Sequence, residues 1–242
     1  GRGAAVTHAL DGVSLSLKAG EFVGVMGPSG SGKTTLLNCV STIDRPTSGS
    51  ITIDGKKLTG LKGKELAKFR RERLGFIFQD CNLLDTLTAG ENIALALSIT
   101  GAPAGQIAGR VREMAQLLGI ENCLDKYPYE MSGGQQQRCA AARAMVTNPA
   151  LVLADEPTGA LDSKAARLLL NCLEDLNRDL GATILMVTHD AFTASCCHRV
   201  VFLRDGRIFK ELRRGEGEDR RTFFQTIIRV VTQLGGEMED VL

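Results

Sequence analysis

One segment of the chain has the residue types and the spacing of a phosphate-binding loop. It follows the apolar run 21–26 and reads Gly27-Pro28-Ser29-Gly30-Ser31-Gly32-Lys33-Thr34. Glycines let backbone N–H groups approach a phosphate without a Cβ in the way, and a helix beginning near Lys33 adds its positive end. In such loops the lysine reaches the β- and γ-phosphates, and the threonine hydroxyl holds Mg²⁺. The segment therefore predicts a nucleoside triphosphate site with Mg²⁺.

An acidic pair follows a second apolar strand. Leu151–Ala154 is apolar at every position, which is typical of a parallel strand buried on both faces, and Asp155 and Glu156 come next. A buried carboxylate is costly, and Mg²⁺ shared with Thr34 would offset that cost at Asp155. Glu156 would then polarise a water against the γ-phosphate. Alone, such a pair is equally typical of a plain helix N-cap; beside the phosphate loop, it favours a metal ligand and a base.

A third segment predicts a second anion site. Ser132 and Gln135 have the spacing of a capping box, so a helix begins here, with Gly133 and Gly134 in its first turn. Glycine weakens a helix unless backbone N–H groups must approach a ligand closely. One bound triphosphate does not need two such sites. We therefore expect the segment 132–135 of one copy to serve a nucleotide held by another copy.

The elements that position these residues alternate between strands and helices. Asp54-Gly55 predicts a turn after a strand at 50–54, and Thr88 with Glu91 predicts a capping box before an apolar helix. The segment 56–73 is rich in Lys and Arg and indicates a solvated helix face, with a surface for an anionic partner as the alternative. For the final amphipathic helix, packing on the core and docking to a partner both stay open. The remaining predictions are strands at 21–26, 151–154 and 183–187, a hairpin of 199–203 with 207–209, and helices at 93–99, 106–118, 169–180 and 222–234.

Taken together, these segments resemble the ATP-binding subunits of ABC transporters. GPSGSGKT at 27–34 resembles the Walker A motif, MSGGQ at 131–135 the signature and LVLADE at 151–156 the Walker B motif. Gln79 in FIFQD resembles the Q-loop, Asp162 in GALD the D-loop, and His189 in MVTHD the switch histidine. All six elements occur in the family's order across essentially the whole chain. Met131 stands where Leu is usual, which is a volume-conserving change.

The resemblance implies a fold and a division of roles. The fold is an α/β P-loop NTPase with a RecA-like core, an antiparallel β subdomain and an inserted α-helical subdomain at 80–130. The single ATPase domain spans 1–242, and 211–242 form a C-terminal extension. Two copies pack head to tail around two MgATP. The implied catalytic residues are Glu156, His189 and Gln79. The implied Mg²⁺ ligands are Thr34, Gln79 and Asp155. The implied nucleotide-binding residues are Gly27, Pro28, Ser29, Gly30, Ser31, Gly32, Lys33, Thr34 and Thr35, with Ser132, Gly133, Gly134, Gln135 and Asp162.

Other segments look like one branch of the family, the bacitracin-type antimicrobial-peptide resistance transporters of Gram-positive bacteria. Thr42-Ile43-Asp44 and the tail FFQTIIRVVTQLGG at 223–236 are the more discriminating pieces. The alternative is the ATPase of a macrolide-export, lipoprotein-release or cell-division complex. The implied partner is a multi-spanning permease at the cytoplasmic face of the cell membrane, touched by the helical insert. A sensor histidine kinase reached through the permease, and with it a purely regulatory ATPase, stays open.

Composition excludes several other classes. A net charge of +1 over 242 residues and an aromatic content of 5% argue against a nucleic-acid partner and against an ATPase of DNA repair. No run of 18 apolar residues predicts a membrane span. The seven cysteines contain no Cys-x-x-Cys pair and are interpreted as reduced, buried thiols. The resemblance implies an adenine-stacking aromatic residue ahead of the Walker A motif, and because no aromatic residue precedes Phe22, we expect it upstream of Gly1.

Overall fold

A six-stranded sheet forms the centre of the computed structural model, which describes residues 8–239 and their side chains through residue 235. In chain order the sheet contains β1 Phe22–Met26, β4 Leu74–Phe78, β5 Leu151–Asp155, β6 Ile184–Val187, β7 Arg199–Arg204 and β8 Arg207–Arg213. Their spatial order is β4-β5-β6-β1-β7-β8. The first five strands in space are parallel, and β8 is an antiparallel edge strand. A separate hairpin pairs β2 Thr52–Ile53 with β3 Lys56–Lys57.

The strand register brings four carboxyl ends to one edge of the sheet. Phe78 of β4 pairs with Asp155 of β5, Asp155 pairs with Val187 of β6, and Val187 pairs with Val25 of β1. The segments after these strands contain every predicted catalytic residue and the phosphate loop. Parallel pairing therefore gathers residues that are far apart in the sequence, at the edge where open α/β sheets bind ligands.

Both faces of the sheet are buried, because side chains alternate along each strand. Phe22 and Met26 of β1 face one hydrophobic cluster, whereas Val23 and Val25 face the other. The first cluster includes side chains of the helices α3 Ala89–Ile99, α4 Ala104–Leu117, α5 Gly133–Met145, α6 Ser163–Leu180, α7 Ala191–Ala194 and α8 Arg220–Glu239. The second includes α1 Lys33–Val40, α2 Lys64–Arg73 and the β2–β3 hairpin.

The local signals for helix ends are confirmed. Thr88 and Ser132 each accept a hydrogen bond from the third residue of their helix, and Glu91 and Gln135 return the bond, which completes both capping boxes. Gly181 ends α6 in the left-handed conformation, with φ of 65°. The helix predicted at 106–118 begins earlier, because Pro103 rather than Gly105 precedes its first turn. Among the described residues, no helix is both long and apolar enough to cross a membrane.

The helix predicted over 56–73 is wrong in its first part. Asp54 and Gly55 both have positive φ, 50° and 72°, which is the geometry of a two-residue hairpin turn. The turn folds Lys56 and Lys57 back against β2 as a strand. The helical part is α2, and its exposed cationic face agrees with the prediction.

The end of the chain is more integrated into the fold than the sequence suggests. Residues 211–213, which we assigned to the C-terminal extension, lie in β8, because the hairpin is longer than predicted. Residues 240–242 of that extension, and residues 1–7 of the predicted domain, lie outside the described residues. Helix α8 buries Phe223, Ile227, Val230 and Leu234 in the core, which confirms the packing role. All seven cysteines are free and six are buried, as predicted.

Candidate functional site

The phosphate loop leaves the end of β1 and enters α1 with its helix terminus uncapped by any side chain. Gly32 is the N-cap, with φ of 100°, and the first turn of α1 contains no acidic residue. A Cβ at Gly32 would meet the backbone oxygen of Ala9, so only glycine fits there. The backbone N–H groups of this turn and its positive end therefore remain available to an anion.

Two side chains of the loop are poised for an anionic ligand. Ser31 Oγ is buried and has no hydrogen-bond partner among the described residues, which is a costly state for a hydroxyl. Lys33 Nζ donates to the carbonyl oxygens of Gly27 at 2.7 Å and Pro28 at 2.9 Å. Burial lowers the pKa of the Lys33 ammonium, although the charges of Glu156 and Asp155 oppose this. Triphosphate oxygens would supply the missing acceptor for Ser31 and a stronger one for Lys33, so the loop fits the predicted nucleotide.

Asp155 has the environment of a cation ligand. It ends β5 and is half-buried, and burial together with the neighbouring charge of Glu156 raises the pKa of its carboxyl, against the opposing effect of Lys33. Partial burial and a neighbouring negative charge both destabilise an ionised carboxylate, and a bound cation would offset this cost. Together with the exposed hydroxyl of Thr34 at the start of α1, it fits the oxygen ligands that Mg²⁺ prefers.

Glu156 and His189 are in direct contact. Oε1 of Glu156 accepts a hydrogen bond from the backbone N–H of His189 at 2.9 Å and lies 2.7 Å from its ring Nδ1. Glu156 is half-buried in a left-handed conformation, with φ of 45°, whereas the His189 ring is exposed. A non-glycine residue rarely adopts that conformation, and such strain is common at functional sites. The pair joins the ends of β5 and β6.

Gln79 follows β4 and contacts the loop after β5. A Cβ added to Gly159 would lie 2.9–3.1 Å from the amide atoms of the Gln79 side chain, so the absence of a side chain at 159 makes room for the amide. The backbone N–H of Gly159 itself bonds back to the carbonyl oxygen of Glu156, 3.0 Å away. Gln79, Asp155, Glu156 and His189 thus lie at the ends of neighbouring parallel strands, at the same edge of the sheet as the phosphate loop.

The segment Ser132–Gln135 does not belong to this group of residues at the strand ends. It starts α5, exposes Ser132 and Gly133, and packs Gly134 against Ala165 of α6. No hydrogen bond among residues 8–235 joins it to the phosphate loop. Asp162 lies at the start of the same α6, where its carboxylate caps the helix by accepting from the N–H of Ala165 at 2.8 Å. These residues therefore form a second, separate surface of the protomer.

Sequence reasoning missed two features of the site. The direct contact of Glu156 with His189 spans 33 positions and has no local signal. Gln137 is fully buried beneath the site, and here a signal existed, because 134, 137, 141 and 144 fall on one face of α5 and the other three residues are Gly or Ala. A glutamine within such an apolar stripe indicates a buried amide with a structural task.

Comparisons with known proteins agree with this geometry. The model of a family described as ABC transporter matches residues 10–159. The bacitracin export ATP-binding protein BceA of Halalkalibacterium halodurans is 54% identical over 231 residues, which are 96% of this chain and 91% of that protein. The ABC transporter ATP-binding protein YxdL of Bacillus subtilis is 53% identical over 234 residues, 97% of this chain and 90% of that protein.

A solved structure shares the fold. It is the dimeric structure of a post-hydrolysis state of the ATP-binding cassette MJ0796 of Methanocaldococcus jannaschii, bound to ADP and Pi. Its TM-score is 0.78 at 41% identity, and the match covers 89% of this chain and 95% of that chain. The likeness confirms the fold class predicted from the sequence.

Proposed function

This chain belongs to the ABC transporter family as an ATP-binding subunit with ATPase activity, and from that premise we propose that it powers a peptide-resistance transporter. The proposed complex protects a bacterium against antimicrobial peptides such as bacitracin. The observation that carries the proposal is the convergence of the phosphate loop, Gln79, Asp155, Glu156 and His189 at the aligned ends of four strands. The name of the relative BceA supports the peptide class.

The chain's own residues divide the work of phosphoryl transfer. Lys33, Ser31 and the N–H groups of 30–35 hold the phosphates and neutralise their charge, which is the main requirement of this reaction. Glu156 accepts a proton from the attacking water. Its contact with His189 fixes the orientation of the Glu156 carboxylate. The His189 ring is exposed and is therefore accessible to a γ-phosphate held by the loop. Gln79, held against Gly159, orients the water.

Thr34, Asp155 and Gln79 would hold Mg²⁺ through their side-chain oxygen atoms. When bound, it supplies charge neutralisation for the β- and γ-phosphates. Asp155 is the residue most dependent on it, because its carboxylate is half-buried beside Glu156.

Two copies complete the site. At the start of α5 the capping box uses the N–H of Gln135 and leaves the N–H groups of Gly133 and Gly134 without a side-chain cap, while the phosphate loop of the same protomer lies elsewhere. A head-to-tail pair would bring this segment of one copy to the γ-phosphate held by the other, with Asp162 beside the seam. The dimeric form of the MJ0796 cassette supports this arrangement.

A groove on the same molecule suits a permease, which would hold the chain at the cytoplasmic face of the membrane. The groove has a volume of about 360 Å³ and lies between α2, β4, α3 and α5. Its lining includes Phe76 and Phe78, whose rings stack at 5.8 Å, and Ile99, which is 53% exposed. Arg70, Arg71 and Arg143 also line it. An apolar floor with cationic edges suits an amphipathic segment that carries acidic residues.

Reconstituted with its permease in vesicles, the chain is expected to hydrolyse ATP faster when bacitracin is added, and Lys33→Ala is expected to abolish turnover. Stimulation only when a sensor kinase is also present would favour the regulatory alternative. Stimulation of ATP hydrolysis by macrolides or lipoproteins instead of peptides would favour the macrolide-export or lipoprotein-release alternative. Absence of ATP turnover under all of these conditions would refute the proposal.

A further inference from the structure

Gln137 lies on α5, five positions after Ser132, and is fully buried with 0% of its surface exposed. Its amide nitrogen donates to the carbonyl oxygen of Phe78 at 2.7 Å and to that of Pro157 at 2.8 Å. Its amide oxygen accepts from the thiol of Cys81 at 2.6 Å. The buried Gln137 side chain therefore forms hydrogen bonds through both amide protons and through its amide oxygen.

The two carbonyl groups that Gln137 holds flank the reactive residues. Phe78 immediately precedes Gln79, and Pro157 immediately follows Glu156. Phe78 and Asp155 are also register partners on the neighbouring strands β4 and β5. One side chain thus fixes the backbone directly before the Q-loop glutamine and directly after the base, at the point where these strands stop pairing.

The Cys81 thiol and Arg143 form further contacts between α5 and the segment 78–82. Burial raises the pKa of Cys81 to about 11, so the thiol keeps its proton and acts as a donor. Cys81 and Asn82 both have positive φ, 54° and 50°, and Arg143 of α5 donates to their carbonyl oxygens at 2.8 Å and 2.6 Å. The segment 78–82 is held on both sides of Gln79 by side chains of one helix.

We propose that Gln137 is a positioning residue for ATP hydrolysis, which sets Gln79 and Glu156 relative to each other and makes both depend on the place of α5. The inference rests on the proposed function. Ser132, the residue that would cover the partner's nucleotide, caps α5, so a shift of α5 would move the carbonyl groups of Phe78 and Pro157 together. The Gln137 amide thus connects α5 to the backbone beside both reactive residues.

The test compares two buried side-chain amides. Gln137→Met preserves the volume of the side chain and removes both donors. Asn177→Leu is the matched control, because the Asn177 amide is also buried and also donates to two backbone carbonyl groups, those of Gly20 and Ala182, which do not flank a reactive residue. None of these atoms belongs to the phosphate loop, so the ATP dissociation constant of both variants should remain within about twofold of wild type.

We expect kcat of the full chain with Gln137→Met to fall about tenfold or more, and kcat with Asn177→Leu to stay within about twofold, because small displacements of reacting groups cost catalysis more than binding. A wild-type kcat in Gln137→Met, or equal losses in kcat and ATP binding, would overturn the inference. Absence of turnover in the wild-type chain would instead refute the proposed function.

If Gln137→Met fails to fold, two variants of Cys81 test the same inference. Cys81→Ser retains a donor to the Gln137 oxygen and should keep wild-type kcat, whereas Cys81→Ala leaves that oxygen without its partner and should lower kcat about two- to fivefold at unchanged ATP affinity. Identical kcat in the serine and alanine variants would overturn the inference.

Discussion

Glu156 and Asp155 are adjacent in the sequence, yet their environments differ. Glu156 is tied to His189 through a short contact, whereas burial and the charge of Glu156 raise the pKa of Asp155. The residue types and spacing of the motifs predicted both positions, because phosphate and metal chemistry restrict which side chains serve. The contact with His189 could not be predicted, because it forms only when β5 and β6 pair.

At the scale of single residues, Asp155→Asn should stabilise the chain in the absence of ligands. Because the folded pKa of Asp155 lies above its unfolded value, ionisation weakens the fold as pH rises through that window, and the full penalty is present at neutral pH. We expect the melting temperature at pH 7.5 to rise by about 1–4 °C, with a smaller difference near the ordinary pKa of aspartate.

Differential scanning calorimetry without nucleotide or Mg²⁺ measures this effect. Asp85→Asn, at an exposed position, is the control for removal of a charge. A destabilised Asp155→Asn, or a gain that grows as pH falls, would contradict the electrostatic account of this carboxyl.

At the scale of elements, helix α8 shows two stripes with opposite environments. Ile227 is 0% exposed among Phe223, Val230 and Leu234, whereas its neighbour Ile228 is 40% exposed. Arg220 fastens the start of the helix, since it donates to Ser195 Oγ at 2.9 Å and lies 4.5 Å from the centre of the Phe192 ring. Helix α8 is thus a structural part of the ATPase core.

Ile227→Ala should lower the free energy of unfolding by about 2–5 kcal/mol, because it removes buried methyl groups and leaves a cavity. Ile228→Ala, the same change one position along, should cost less than about 1 kcal/mol. Urea unfolding followed by circular dichroism compares them. Equal costs would show that α8 does not pack as described.

The permease groove yields a prediction at the same scale. Ile99→Glu should prevent co-purification with the permease while leaving ATP binding by the chain within about twofold of wild type, since the groove is separate from the phosphate loop. Leu168→Glu on α6 is the control, because Leu168 is similarly exposed at 45% and lies outside the groove. Loss of the permease with both variants, or with neither, would reject the groove as its docking surface.

Elements were predictable where their signals are local. The capping boxes at Thr88 and Ser132, and the stop at Gly181, depend on residues three or four apart and were correct. The strand at Lys56–Lys57 was missed because its composition favours helix, and only pairing with Thr52–Ile53 makes it a strand. Packing of α8 was left open for the same reason, since a stripe of apolar residues does not identify the surface that covers it.

At the scale of the whole molecule, the two proposed halves of the nucleotide site lie on separate surfaces of the protomer. The phosphate loop with its catalytic residues lies at the strand ends, and the Ser132–Gln135 segment is exposed at the start of α5. In the proposed function, each surface supplies one half of a triphosphate site. The account therefore depends on a second copy of the chain, as in the dimeric MJ0796 cassette.

Sedimentation velocity of the Glu156→Gln chain with MgATP tests this claim most directly. Glu156→Gln should keep ATP binding and block hydrolysis, so the account predicts a dimer with ATP and a monomer without it. Adding Ser132→Arg to the same chain should retain bound ATP, because the phosphate loop is untouched, and should yield a monomer. A Glu156→Gln chain that binds ATP and stays monomeric, or a dimer that survives Ser132→Arg unchanged, would contradict the account.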